Sequence, residues 1–206
     1  MRLALLTAAV LAAPLLAQPA PPPGGPGMMI HGDTGKPVVA GNYRVEPNHT
    51  QVAFAVSHLG ISPYAGWFSD ASGSLSIDPA HPEMAKLTVT VPIASVATTS
   101  PKLTAELKSA DWFDAARFPT ATFTSSAVHA RGQGAAIEGN LRLHGVTRPV
   151  VIYARLFGSG VNPMSKAQSV GFVARTSIRR SEFGVTKYVP MVSDEVELVI
   201  NAAFEK

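Results

Sequence analysis

Glu195-Val196-Glu197-Leu198-Val199-Ile200-Asn201-Ala202-Ala203-Phe204 places Val196, Leu198, Ile200, Ala202 and Phe204 at every second position. Successive side chains of a strand point to opposite faces, so this stretch reads as a strand with one apolar face turned to an interior. Working outward, the same alternation recurs in seven earlier segments. They are Val52/Phe54/Val56 running into His58, Trp67/Ala71/Leu75/Ile77, Leu87/Val89/Val91/Ile93, Ala121/Phe123, Ile137/Gly139/Leu141/Leu143, Val150/Ile152/Ala154/Leu156 and Val170/Phe172/Ala174/Ile178. The opposing positions carry Thr, Ser, Arg and Glu, and clusters of Gly, Pro, Asn, Asp and Ser separate the segments.

Eight one-sided strands joined mostly by short turns fit a closed up-and-down barrel or a two-sheet sandwich. Several segments run to ten residues or more, roughly 33 Å of strand, which favours an eight-stranded antiparallel barrel. One helix interrupts the pattern between the third and fourth strands. Ser100 is its N-cap, Pro101 takes the first helical position, and Leu103, Leu107 and Ala110 share a face that ends near Asp111. Pro92, inside the third strand, lacks the N–H of a central strand and predicts an irregular or open wall beside that helix.

The ends of the chain read differently. Met1-Arg2 followed by the apolar run Leu3–Ala17 reads as a secretory signal peptide, residues 1–17, and implies delivery to the periplasm. Residues 18–40 are dominated by Pro and Gly and read as an extended or disordered leader, which leaves 41–206 as the folded domain. The 206 residues include 46% hydrophobic and only 15% charged positions, enough to bury one core. A net charge of +3 with no Lys/Arg run argues against a nucleic-acid partner. The absence of cysteine removes thiol nucleophiles, Cys-ligated metals and disulfides.

No Gly-x-Ser-x-Gly elbow, His-Glu-x-x-His or P-loop is present. His49, His58 and His144 form a metal site only if the fold brings strand ends together; otherwise His49 and His144 serve as turn caps. Parity puts His58 in line with Val56, as a core histidine with a hydrogen-bond partner or as a donor to the polar end of an apolar ligand. Arg180 keeps the parity of Ile178, and Asp194 that of Val196. They pair with each other, or Arg180 meets an anionic ligand.

Several motifs occur in a fixed order along the domain. They are Tyr43-Arg44-Val45-Glu46-Pro47-Asn48-His49-Thr50 with Phe54 and His58; Gly66-Trp67-Phe68 leading to Gly73; Leu107-Lys108-Ser109-Ala110-Asp111-Trp112-Phe113-Asp114 with Phe118-Pro119; Gly139-Asn140-Leu141 with His144-Gly145-Val146-Thr147; and Arg180-Ser181-Glu182-Phe183-Gly184. Together they resemble the YceI-like family of secreted bacterial proteins, from Asn42 to Phe204. The chain departs from the usual pattern at Glu46, where aspartate is commoner, and at Lys102-Leu103-Thr104, which lacks a basic-acidic stretch ahead of the leucine.

The resemblance implies a lipocalin-like barrel whose apolar tunnel holds a polyisoprenoid, either a polyprenyl phosphate or an isoprenoid quinone, with binding rather than catalysis. The tunnel candidates among the inward positions are Val52, Phe54, Val56, Trp67, Leu75, Val89, Val91, Phe123, Leu141, Ile152, Phe172 and Leu198, with His58, Arg180 and Asp194 for the head group. Small inward residues, Ala71, Gly73, Ala121, Gly139, Ala154 and Ala174, leave room for it. No catalytic residue, metal or cofactor besides the lipid is expected; transient membrane contact and a homodimer are compatible with the sequence. On the residues alone two other classes stay open: a histidine-based metal-dependent or acid–base enzyme, and a partner-binding module.

Overall fold

The computed structural model describes Gly32 and residues 35–206. The expected signal peptide, residues 1–17, and most of the leader lie outside the described residues. Eleven strands are hydrogen-bonded: β1 (Gly41–Val45), β2 (Gln51–His58), β3 (Ser62–Phe68), β4 (Ser72–Ile77), β5 (Lys86–Pro92), β6 (Ala97–Thr98), β7 (Thr120–Arg131), β8 (Gly134–Leu143), β9 (Val146–Val161), β10 (Gln168–Arg179) and β11 (Glu195–Glu205). Among the described residues one short α-helix, α1 (Pro101–Leu107), lies between β6 and β7.

These strands make eight staves, because β1 with β2, β3 with β4, and β5 with β6 are each one stave broken in the middle. The ring runs β1-β4-β5-β7-β8-β9-β10-β11 and closes where β11 returns to β1, with every pairing antiparallel. At the α1 end, β2, β3 and β6 continue the first three staves. Closure leaves no long free edge except beside β6, whose two residues bond only β3. The helix and the turns after it occupy that side, as Pro92 at the end of β5 anticipates.

The breaks are built by local side-chain chemistry. Between β1 and β2, the Glu46 carboxylate accepts the backbone N–H groups of Asn48 at 3.1 Å and His49 at 2.9 Å, capping a 3-10 turn at Pro47–His49. Buried Thr50 then re-enters the sheet, its hydroxyl donating to Glu46 O at 2.8 Å and accepting from Ala203 N at 3.0 Å. Between β3 and β4, Asp70 takes a left-handed φ of 57°. In the neighbouring stave Ser95 Oγ donates to Pro92 O at 2.6 Å and accepts from Ser69 N at 3.1 Å, so the two breaks are tied together.

Each break reverses strand parity. Tyr43 and Val45 face inward in β1 but Val52, Phe54 and Val56 do so in β2; Tyr64 and Phe68 face inward in β3 but Leu75 and Ile77 do so in β4. The parity expected for Trp67 from Leu75 is therefore corrected: Trp67 stands on the outer face, 44% exposed, and Phe68 takes the inner position. A bulge between Ser125 and Ala127 does the same in β7, where Phe123 and then Val128 face the interior.

The helix is shorter than its sequence pattern suggests. Ser100 caps it, accepting Leu103 N at 3.3 Å, but the last turn tightens into i→i−3 bonds and Phe113 N donates to Leu107 O at 3.1 Å. This turn brings Trp112 back onto Leu107, Val96 and Val185 in one buried cluster, and Ala110 is left exposed outside the helix. The end of the leader also differs from a free tail. Val38 packs beside the cluster of Tyr43, Leu75 and Phe204, and Ser159 Oγ donates to Lys36 O at 2.7 Å, because an apolar residue next to β1 gains more by covering the barrel end than by staying in water.

The reversal at Asp70 makes a direct prediction. Phe68→Ala will cost about 3 kcal/mol or more of unfolding free energy in a denaturant titration and Trp67→Ala under about 1 kcal/mol, the reverse of what an unbroken alternation requires.

Candidate functional site

The staves enclose a cavity of about 760 Å³ that runs from the α1 end to the opposite end of the barrel. Val52, Phe54 and Val56 of β2 border it, as do Leu75 of β4 and Val89 and Val91 of β5. Phe123, Leu141, Ile152, Phe172 and Leu198 complete the wall from the remaining long strands. Trp67 does not border it.

Two of the rings leave the lumen open by lying on glycines. The space a Cβ would take at Gly66 is filled by the Phe54 ring, 2.5 Å away, and that at Gly139 by the Phe123 ring, 2.4 Å away. Ala121, Ala154 and Ala174 border the cavity, and Ala154 and Ala174 are cross-strand partners, which narrows neither wall. Ala71 and Gly73 are small for another reason: Ala71 is buried in the wall cluster, and Gly73 lies against the Thr88 carbonyl.

Thr50 and Thr176, two of the polar groups along the wall, are already engaged. Thr176 Oγ1 donates to Val151 O at 2.8 Å, and Thr50 is bonded as described above. Among the described residues no buried side-chain nitrogen or oxygen lacks a partner. Filling the cavity with water at roughly 30 Å³ each would take more than about 20 molecules, most of them against hydrocarbon. Such a lumen favours an apolar occupant.

Arg180 is 5% exposed and borders the cavity at its α1 end. Its guanidinium donates to four carbonyls: Nε to Ser193 at 2.9 Å, Nη1 to Val185 at 2.9 Å and Lys187 at 2.8 Å, and Nη2 to Val192 at 2.8 Å. Its carbon centre lies 5.6 Å from the Trp112 ring centroid. Burial pulls its pKa down from the ordinary value, opposed by the charge of Asp194. The expected Arg180–Asp194 ion pair is not formed. Asp194 precedes β11 and turns away from the lumen, accepting from Ser181 N at 2.8 Å and Ser181 Oγ at 2.7 Å. Burial works to raise the Asp194 pKa, but the two Ser181 bonds and the charges of Arg180 and Arg179 outweigh it and the net shift is downward.

His58 is exposed at the rim, bridged through its backbone to Val192, and is not the core histidine that strand parity suggests. The strand ends there and the hairpin to β3 opens to solvent. Glu106, Trp112, Tyr188 and Leu103 share that rim and came from loops and the helix, where no period-two signal marks an inward position. The Trp112 indole N–H donates to Glu106 at 3.1 Å, and this bond, followed by Lys187, holds the Glu106 pKa below its usual range.

The three histidines are separately placed. His49 Nδ1 lies 2.6 Å from Glu46 Oε2, and His144 Nδ1 lies 3.0 Å from Phe183 O with its ring edge-on to Phe118. Among the described residues no group of three or more His, Asp or Glu side chains is arranged to hold a metal ion.

A closed ring of eight antiparallel staves around an open-ended apolar lumen defines an up-and-down barrel of the ligand-enclosing kind. The chain matches the YceI-like domain over residues 43–204 and belongs to that family. A UPF0312 protein of Azotobacter vinelandii is 41% identical over 157 residues, covering 76% of this chain and 81% of that protein. The crystal structure of Burkholderia cenocepacia BcnA superposes with a TM-score of 0.69 at 26% identity, covering 77% of this chain and 98% of that one. A polyisoprenoid binding domain from Saccharophagus degradans shares the fold, with a TM-score of 0.61 at 15% identity over 79% of this chain and 97% of that one.

The Arg180 and Asp194 networks predict distinct losses. Arg180→Met strands four carbonyls, that of Val185 buried and the other three partly so, and will lower the unfolding free energy by about 3 kcal/mol in denaturant titrations. Because folding lowers the Asp194 pKa from 3.8, its contribution is complete above that value and is lost as pH falls through the lower folded value. Asp194→Asn will therefore flatten the acid limb of the stability profile below about pH 4.

Proposed function

We propose that this protein is a binding protein that sequesters a long-chain polyisoprenoid lipid inside the barrel. The observation that carries this reading is the cavity of about 760 Å³, bordered by hydrocarbon along most of its length, with the buried polar side-chain atoms of the described residues already partnered. Membership of the YceI-like family supports it, as does a fold shared with a protein described as a polyisoprenoid binding domain. Burying about thirty ligand carbons at roughly 0.8 kcal/mol each gives a gross transfer term above about 20 kcal/mol. That is near the ceiling of about 18 to 21 kcal/mol for non-covalent affinity, so the tail supplies the affinity.

The wall then selects the head group. Among the described residues Arg180 is the arginine or lysine facing the lumen and four of its five N–H donors are engaged by carbonyls, while Glu106 is an anion at the rim. A phosphate drawn inside would lose its hydration without gaining a free cation. A neutral head, an isoprenoid quinone rather than a polyprenyl phosphate, is the better fit, with the rim groups His58 and Tyr188 in reach of its oxygens. On this reading residues 1–17 direct export, the protein works in the periplasm as a carrier of that lipid, and neither a catalytic residue nor a further cofactor is assigned.

Native mass spectrometry of the protein purified from the periplasm, with organic extraction of what travels with it, tests this. A discrete added mass that extracts as a neutral prenyl lipid is expected. Ala154→Phe and Ala174→Phe, at neighbouring positions of β9 and β10 on the wall, will each reduce or abolish the added mass while circular dichroism stays that of a β protein. A protein that remains apo after exposure to a long-tail quinone and to a polyprenyl phosphate would overturn the reading.

A further inference from the structure

Two adjoining loops beside the cavity mouth at the α1 end carry large apolar side chains that stay exposed. Leu59 and Ile61 stand at the tip of the β2–β3 hairpin, and Tyr188 and Met191 on the loop before β11, each between 49% and 83% exposed. The two loops form one surface. Leu59 N donates to Met191 O at 2.7 Å, His58 bridges Val192, and Ser193 N donates to Ser57 O at 2.9 Å. Among the exposed large apolar side chains of the described residues, Tyr188 is the one that also borders the lumen, so the patch is continuous with the cavity wall.

Two of these residues hold unfavourable backbone. Leu59 has φ of 57° and Tyr188 of 62°, in the left-handed region where glycine or asparagine is the unstrained choice. Leu59 holds a large apolar side chain there, 52% exposed; the Tyr188 ring packs edge-on against Trp112 at 6.0 Å between centroids and still leaves 49% of its surface in water. Residues 57–64 and 185–193 also contain no acidic residue, only His58 and Lys187 as basic ones, so nothing on the loops repels an anionic surface.

We propose that this rim is a membrane-docking surface, on which the barrel sits with its mouth against the lipid headgroups so that cargo passes between bilayer and lumen without crossing water. The proposal rests on the lipid-carrier reading for its purpose but on the rim for its evidence. Four exposed apolar side chains on two adjoining loops, with no acidic residue among them, suit shallow insertion into a headgroup layer. Continuity with the mouth favours the bilayer over a second copy of the chain.

The test compares wild type with Ile61→Glu/Met191→Glu, which alters exposed positions outside the cavity wall, and with Val161→Glu/Met164→Glu, equally exposed but joined to the β9–β10 turn. Flotation with vesicles of phosphatidylethanolamine and phosphatidylglycerol reads docking without cargo. Transfer of a long-tail isoprenoid quinone from the same vesicles reads its use, and loading from detergent reads the lumen alone. The expected result is a loss of flotation and a transfer rate at least tenfold slower for the rim variant only, with loading from detergent unchanged in all three proteins. Equal flotation and transfer in wild type and rim variant would overturn the proposal. So would a wild-type dimer, seen by analytical ultracentrifugation, that the rim variant converts to monomer. Failure to load from detergent in wild type would sink the carrier reading, and flotation would still decide the docking surface.

Discussion

The outer edge of β11 has to be bonded along its length or the barrel stays an open, adhesive sheet. A single straight strand does not do this, because the staves twist and curve as they close. The chain solves it with two pieces: β2 covers Glu197–Asn201 and β1 covers Phe204 and Glu205, with the turn at Pro47–His49 between them. Glu46 caps that turn and Thr50 restores the ladder at Ala203. Ring closure therefore rests on a five-residue break, and the lumen exists because the ring closes.

Two packing solutions then keep the lumen empty. Phe54 and Phe123 each bring the tip of the ring against a glycine of the neighbouring stave, so the rings cover wall instead of filling the centre. The hydroxyls of Thr50 and Thr176, which border the lumen, donate to carbonyls of the wall, Glu46 and Val151. The result is a surface with little to offer water and much to offer a hydrocarbon chain.

Polar chemistry is concentrated at the α1 end, where it builds the mouth. Arg180 gathers the carbonyls of a loop that would otherwise have no sheet to bond to, Trp112 covers the guanidinium, and Lys187 links the loop to Asp111 and Glu106. A charge used in this way is structural even though it faces the cavity. Exposed Leu59, Ile61, Tyr188 and Met191 are held on the same frame. The loop between Arg180 and Asp194 thus joins the wall of the lumen to the surface through which the lumen meets its surroundings.

Eight period-two segments, one capped helix and the small residues among them were readable along the chain, since alternation and capping are local and need no knowledge of neighbours. Val52, Phe54, Phe172 and Leu198 could be placed on the inner wall for that reason. Trp67 could not, because a left-handed Asp70 three residues later reverses the faces, and neither the sequence around Asp70 nor its hydropathy announces that φ. The partner of Arg180 was equally hidden: parity points the side chain inward, but the carbonyls it meets belong to residues 185, 187, 192 and 193, whose loop folds back only in three dimensions. Periodicity along the backbone decides which residues form strands. Where a stave breaks, which face follows the break and which charges are already spent are decided by ring closure, which couples residues far apart in the chain.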